Sequence, residues 1–442
     1  MQGTAPSIPS LSVPPVTALT NTDIRKRQLA VGIGNFMEWF DFAIYGYFAA
    51  VIGAQFFPTG NPTTEMLASL AVFAVGFISR PLGALILGPI GDRHGRKAVL
   101  LTTVLGMGVT TALIGLTPSY AAIGVAGSIA IVILRFVQGM MVGGEWSAAA
   151  TYVGESAPAH KRGLHASLIT VTAGLAFLAG TGSAIGINLI LSPADVSAWG
   201  WRIPFIASLV MCVVAIYIRQ KLEDTPVYEH LARQRESNEL QAVPAKVKAK
   251  SFLLALSFSA LFGVGLYYLI AYANNYLSGV VGMPRTEALA ACAIALVVTV
   301  IGNPLAGALS DRIGRRPVVL IGALGLTLLS IPIFMLMSTG TFALVVLGAS
   351  VLAVLVSMTG TMNVVLLVEV FPASIRSTGA ALGHNVALAL LAGPAPLMAA
   401  SLVAATGNTV APAYYLAAVS LLTLIILWCI LPETRKNDIS KG

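Results

Sequence analysis

The strongest constraint on this chain is a series of twelve apolar stretches, the first starting near residue 28 and the last ending near residue 431. A bilayer core needs about 20 predominantly apolar residues to be crossed as a helix. Inside it no water can satisfy backbone N–H and C=O groups, so runs this long must bond internally as α-helices. Composition agrees: 57% of the 442 residues are hydrophobic and 10% charged, whereas soluble domains carry roughly 25% charged residues. A soluble globular protein, a disordered chain and a disulfide-built secreted domain are excluded. The three cysteines, Cys212, Cys292 and Cys429, are far apart. They supply no metal-ligand spacing and no disulfide framework, and each is expected to be a small buried hydrophobe.

Basic residues set the expected orientation. With the N-terminus inside, 22 of the 26 Lys and Arg collect on the cytoplasmic side and one, Arg285, lies outside. That asymmetry is the positive-inside signal, and it accounts for the net charge of +8 through topology and anionic lipid. Residues 1–22, rich in Pro, Ser and Thr, read as a flexible tail and carry no signal-peptide pattern. The expected organisation is a cytoplasmic tail 1–27, a six-helix bundle 28–219, a cytoplasmic loop 220–250, a second six-helix bundle 251–431 and a cytoplasmic tail 432–442.

The two bundles repeat. Gly91-Asp92-Arg93-His94-Gly95-Arg96-Lys97 follows the second stretch, and Ser310-Asp311-Arg312-Ile313-Gly314-Arg315-Arg316 follows the eighth. Glu155-Ser156-Ala157-Pro158 leads to Arg162-Gly163 after the fourth, and Glu369-Val370-Phe371-Pro372 leads to Arg376 after the tenth. The paired motifs lie 219 and 214 residues apart, nearly one spacing. Internal duplication of this kind marks alternating-access carriers, whose site lies between the halves near the midplane.

Five ionisable residues sit inside otherwise apolar stretches: Glu38, Asp41, Arg80, Arg135 and His384. A charge at the bilayer centre costs at least ~2.5–3.5 kcal/mol, so each needs a partner or a function. Glu38 and Asp41 are three residues apart and share a helix face, which Tyr45 continues. Two such carboxylates cannot both ionise cheaply, so at least one is expected to bind a proton near neutral pH. The alternative is a structural pair with an arginine. Arg135, with Gln138 on its face, either grips a substrate carboxylate through its planar fork or balances the acids of the first helix. Arg80 offers a second cation. Tyr268, Tyr272, Asn275 and Tyr276 form a stripe that is either a substrate wall or an interfacial aromatic belt. His384 and Asn385 either line the cavity or pack. Asp92 with Arg96, and Asp311 with Arg315, are expected to pair across cytoplasmic helix ends.

These motifs resemble the major facilitator superfamily, whose loop signature matches residues 91–97 and whose fourth-helix motif matches Arg135-Phe136-Val137-Gln138-Gly139. More narrowly, the chain resembles the metabolite:proton symporter family. The residues that carry this are Gly34-Asn35-Phe36-Met37-Glu38-Trp39-Phe40-Asp41-Phe42, Arg80-Pro81-Leu82-Gly83, Gly143-Gly144-Glu145 and Trp199-Gly200-Trp201-Arg202-Ile203-Pro204-Phe205. The resemblance implies an all-α integral membrane fold of twelve transmembrane helices in two pseudo-symmetric halves. It implies uptake of citrate, α-ketoglutarate, shikimate, or proline and betaine with protons, and a cytoplasmic gate of Asp92, Arg96, Glu145, Asp311 and Arg315 that latches the outward-facing state. Ala43-Ile44-Tyr45-Gly46 and Pro412-Ala413-Tyr414-Tyr415 are most similar to members that carry proline and betaine. Two departures point to a more anionic solute: Arg135 stands where those members have Lys, and the long coiled-coil tail of osmosensing members is absent.

No phosphate loop, His-Glu-x-x-His or Gly-x-Ser-x-Gly pattern occurs, so ATP-driven transport and common hydrolases lose support. The expected protein is therefore not an enzyme. It is a monomeric carrier in a bacterial cytoplasmic (inner) membrane that uses protons as coupling ion, with no cofactor, metal or nucleic acid. It would import a small carboxylate-bearing metabolite by symport, with Glu38 and Asp41 coupling the proton. Arg135, Gln138, Arg80, Tyr45, Tyr272, Asn275, His384 and Asn385 would meet the solute. The alternatives are a zwitterionic osmolyte such as proline or betaine, and a transport-inactive receptor or sensor.

Overall fold

A computed structural model describes residues 21–237 and 242–439. Most of the expected N-terminal tail, and Lys441 of the C-terminal one, lie outside these residues. Twelve long helices form two halves. The first holds α1 (Asn21–Phe56), α2 (Pro62–His94), α3 (Arg96–Leu116), α4 (Val125–Ser156), α5 (Arg162–Ile190) and α6 (Arg202–Gln220). The second holds α7 (Ala245–Val280), α8 (Arg285–Ile313), α9 (Arg315–Ser338), α10 (Phe342–Glu369), α11 (Ala373–Thr406) and α12 (Pro412–Ile430). Eleven of them are long and apolar enough to cross a membrane on those grounds alone. The twelfth, α1, is diluted by Asn35, Glu38 and Asp41, yet it packs among α2, α5 and α6 of its own half.

Helical structure begins earlier than the apolar pattern does. The span expected from residue 28 starts at Asn21, and α7 begins at Ala245 within the expected loop. Polar first and last turns can protrude from hydrocarbon while the helix continues, and hydropathy does not register them. The loop between the halves holds a further helix, Pro226–Glu236, capped by the Thr225 side chain accepting the Tyr228 N–H at 3.2 Å.

Small residues set the helix spacing. In α2 and α4, a Cβ on Gly83 would strike the Met140 backbone, and one on Gly139 the Gly76 carbonyl. The halves meet along two equivalent seams. At the α5–α8 seam a Cβ on Gly307 would come within 2.5 Å of the Gly163 carbonyl; at the α2–α11 seam one on Gly88 would lie 2.8 Å from the Thr378 Cα. Such residues let backbones approach where lipid offers no hydrophobic drive to association. Two equivalent turns, α2–α3 and α8–α9, pivot on Gly95 (φ 97°) and Gly314 (φ 108°), a region that favours glycine. The cysteine expectation holds for Cys212, which is buried; Cys429 is exposed on α12, a surface that need only be apolar in a bilayer.

Candidate functional site

The ionisable residues of the spans converge at mid-height in two layers. In the first, Asp41 accepts a short hydrogen bond from the Thr111 hydroxyl of α3 and a longer one, 3.4 Å, from the Gln138 amide of α4. The same amide nitrogen lies 2.6 Å from the Thr111 hydroxyl, and Arg135 donates to the Gln138 carbonyl oxygen. A neutral carboxamide is thus interposed between the acid and the arginine. The Arg135 guanidinium lies over Tyr45 at 3.9 Å and near Phe73 at 4.9 Å. The Tyr45 hydroxyl is itself turned to the Ser69 carbonyl at 3.2 Å.

The second layer has no internal bonding. Glu38 is fully buried with both carboxylate oxygens unpartnered. Arg80 sits between Phe42 (4.8 Å) and Phe77 (4.7 Å), with two of its guanidinium nitrogens unpartnered. From the opposite half, Tyr267 packs edge-on against Phe77 at 5.3 Å, and its hydroxyl is also unpartnered. Arg80 is a charged neighbour of both Glu38 and Tyr267. A buried polar group costs stability unless it is bonded, so an acid, a base and a phenol left open together at a seam mark a place that something else fills.

Of the residues expected to meet solute or proton, Glu38, Asp41, Tyr45, Arg80, Arg135 and Gln138 are brought together here. His384 lies nearby on α11, its Nδ1 3.1 Å from the Ser259 hydroxyl and its ring stacked on Trp146. Asn385 is pinned at the seam, donating to the Gly143 carbonyl at 2.7 Å and the Ala381 carbonyl at 2.8 Å. Tyr272 and Asn275 are placed apart from this cluster, Tyr272 with its buried hydroxyl also unpartnered. Tyr272 is stacked between Tyr268 and Tyr276, whose rings pack on Phe334 of α9 and whose hydroxyls bind the Pro412 and Thr409 carbonyls. Asn275 is exposed and donates to Ala271 of its own helix. The stripe therefore holds α7 within its own half, and its neighbour Tyr267 faces the centre. Wide π-helical turns at Tyr268–Tyr272 and Tyr276–Val280 disturb the face that simple helical spacing assigns. Thr111 and Tyr267 are central residues that the sequence pattern did not single out. A lone threonine in an apolar helix carries no signal, and Tyr267 stands beside a longer stripe.

The basic end of the bundle is closed by bonds between the halves. Asp92 accepts the Ser377 and Thr378 N–H groups at 3.0 Å and the Thr378 hydroxyl at 2.6 Å, capping α11. Asp311 does the same for α5, accepting the Gly163 and Leu164 N–H groups at 2.9 Å. Arg96 joins Asp92 (3.8 Å) to Glu155 (3.1 Å), on which Arg376 of the other half also closes at 2.7 Å. Its counterpart Arg315 joins Asp311 (2.8 Å) to Glu369 (3.3 Å), with Arg162 on Glu369 at 2.8 Å. The repeat seen in sequence is thus a two-fold set of mutual caps and ion pairs, in which Glu155, Glu369, Arg162 and Arg376 take part. Beyond the spans, Asp224 caps α3 by accepting the Lys97 N–H at 3.0 Å, and burial pushes its carboxyl above the usual range against that bond.

Glu145 does not belong to this closure. It pairs with Arg219 at 2.5 Å and accepts the Thr103 hydroxyl, while Arg219 also reaches the Ala30 and Leu100 carbonyls. All of these lie in the first half, so Glu145 ties α1, α3, α4 and α6 together. Its place beside Gly143 and Gly144 gave no hint that its partner would be a distant arginine at the end of α6.

A family profile described as Major Facilitator Superfamily matches residues 31–393 and 253–441. The chain is 36% identical over 421 residues to the proline/betaine transporter of Escherichia coli (strain K12), which covers 93% of this chain and 84% of that protein. It is 35% identical, with the same coverage, to a glycine betaine/proline/ectoine/pipecolic acid transporter of Dickeya dadantii (strain 3937). Among solved structures it is similar to a proton:xylose symporter bound to 6-bromo-6-deoxy-D-glucose, with TM-score 0.82 and 17% identity over 96% of this chain and 99% of that one. It is less similar to the inward-open xylose transporter from E. coli, with TM-score 0.68 and 18% identity over 95% and 98%. At those identities the likeness is one of fold.

Proposed function

This chain belongs to the major facilitator superfamily, as a multi-pass membrane transporter rather than an enzyme, and from that premise we propose that it imports a small zwitterion of the proline or betaine kind together with protons. The observation that carries the reading is the open layer of Glu38, Arg80 and Tyr267. One unpaired acid and one unpaired base at one seam match a solute bearing both charges. Arg80, assisted by the Tyr267 hydroxyl, would take the carboxylate, and a guanidinium held between two rings presents a fixed fork for it. Glu38, its two carboxylate oxygens unpartnered, would face the ammonium end. A di- or tricarboxylate would instead set further negative charge beside Glu38. The names of the relatives also favour an osmolyte over the organic acid expected from Arg135, whose guanidinium bonds Gln138, lies over Tyr45 and keeps two nitrogens without a partner.

Proton coupling falls to Asp41. Its carboxylate is held by Thr111 and Gln138, so a change in its protonation alters the bonds that fix α1 against α3 and α4. The basic end would face the cytoplasm of a bacterial inner membrane, by the positive-inside rule. The bonds between the halves at that end then describe a carrier closed to the cytoplasm, and release requires breaking them.

The test is a ligand screen on the purified protein. Proline or betaine at about 100 times its Kd should stabilise the fold by ~2.7 kcal/mol, read as a raised melting temperature. Stabilisation by citrate or shikimate, with no response to proline or betaine, would return the organic-acid reading.

A further inference from the structure

Between the central layers and the closed basic end lies a third layer that neither uses. Trp146 on α4 comes eight residues after Gln138 and nine before Glu155, about 12–14 Å from each along the helix. Its indole leaves its own half and enters the other. It stacks on His384 of α11 (5.6 Å, 9°) and Phe262 of α7 (5.9 Å, 19°), while Trp39 of α1 meets it edge-on at 5.7 Å. Its Nε1 donates to Asn363 of α10 at 3.2 Å. The Asn363 amide donates to the Ser259 hydroxyl at 2.8 Å, and that hydroxyl lies 3.1 Å from His384 Nδ1. The socket is therefore a closed ring of polar groups beneath an aromatic plug.

The socket is also shaped for a side chain from one half alone. The position related to Trp146 by the 214-residue repeat of α4 and α10 is Gly360, where a Cβ would lie 2.7 Å from the Phe262 ring that receives the indole. The two-fold closure below is symmetric, whereas this layer places an indole on one side and, on the other, a glycine packed close against Phe262. A permanent core contact gains nothing from a buried Ser, Asn and His behind it. A path that must be dry in one state and wet in another does, because those groups can bond water once the plug leaves.

We propose that Trp146 is the exit gate of the transport path, an indole plug that seals the central site from the basic end and must leave its socket on α7, α10 and α11 before solute can pass. The inference rests on the transport reading, because it requires the halves to move apart at that end.

The test reads access without any solute. In a background with Cys212, Cys292 and Cys429 changed to Ser, Val142→Cys places a thiol one turn before Trp146, so that the plug stands between it and the basic end, at a position now buried. Maleimide labelling from that side should rise about fivefold with Trp146→Ala, the loss of one aromatic stack, and less with Trp146→Phe, which keeps a ring. Unchanged labelling in a monodisperse Trp146→Ala protein would overturn the gate. Should that variant fail to fold, Asn363→Ala and His384→Ala cut the socket instead, and unchanged labelling in both would overturn it equally. Failure to move proline or betaine would sink the solute assignment and leave this readout standing.

Discussion

Gln138 shows how a single side chain can decide what its charged neighbours do. By standing between Asp41 and Arg135 it keeps acid and base from collapsing into a closed pair, and leaves Asp41 one oxygen without a partner. Asp41→Asn should abolish uptake driven by a proton gradient while sparing solute counterflow, because the amide keeps the volume and loses the titration. Arg80→Lys keeps the charge but loses the fork. Its expected effect is a KM raised about 10–100-fold for loss of a charge-assisted bond worth ~1.5–3 kcal/mol, checked by transport kinetics and by ligand-induced thermal shift. The charges themselves were legible in the sequence, because hydrocarbon makes every ionisable residue conspicuous. Which of them would be left open was not, since it depends on Gln138, Thr111 and Phe77 arriving from other helices.

At the scale of the element, helix spacing is set by glycine, and the seams between the halves are the tightest case. Gly307→Val should wedge α8 away from α5 and abolish uptake without preventing membrane insertion, since the clash is with the Gly163 backbone, which cannot move aside as a flexible side chain could. Spin labels at His160 and Ile313, exposed on opposite sides of this seam, would register the wedge as a longer distance. Helix number and order followed from hydropathy because the bilayer enforces them. The facing of α7 did not. Its π turns shift the register so that Tyr272 joins a structural stack and Tyr267 turns inward, a change of phase that periodicity arithmetic cannot foresee. Similarly, Glu145 reads as part of a conspicuous motif, but its partner Arg219 is 74 residues away and in the same half.

Over the whole molecule, the closed end is built twice by one rule. An aspartate ending a helix in each half caps a helix of the other, and an arginine couples that cap to a shared glutamate. Asp92→Ala and Asp311→Ala should therefore shift the closed–open balance in the same direction by similar amounts, about 5–30-fold each for a cap worth ~1–2 kcal/mol. The His160–Ile313 label pair would read both. On the proposed reading, this closure guards a centre in which an open acid and base would take a zwitterion while Asp41 would carry the proton. The most direct measurement of that claim is proton movement during solute entry into proteoliposomes loaded with a pH-sensitive dye. Adding proline or betaine outside should acidify the lumen for the wild-type protein and leave it unchanged for Asp41→Asn, with counterflow intact in both. Solute entry without acidification, or acidification that persists in Asp41→Asn, would contradict the account.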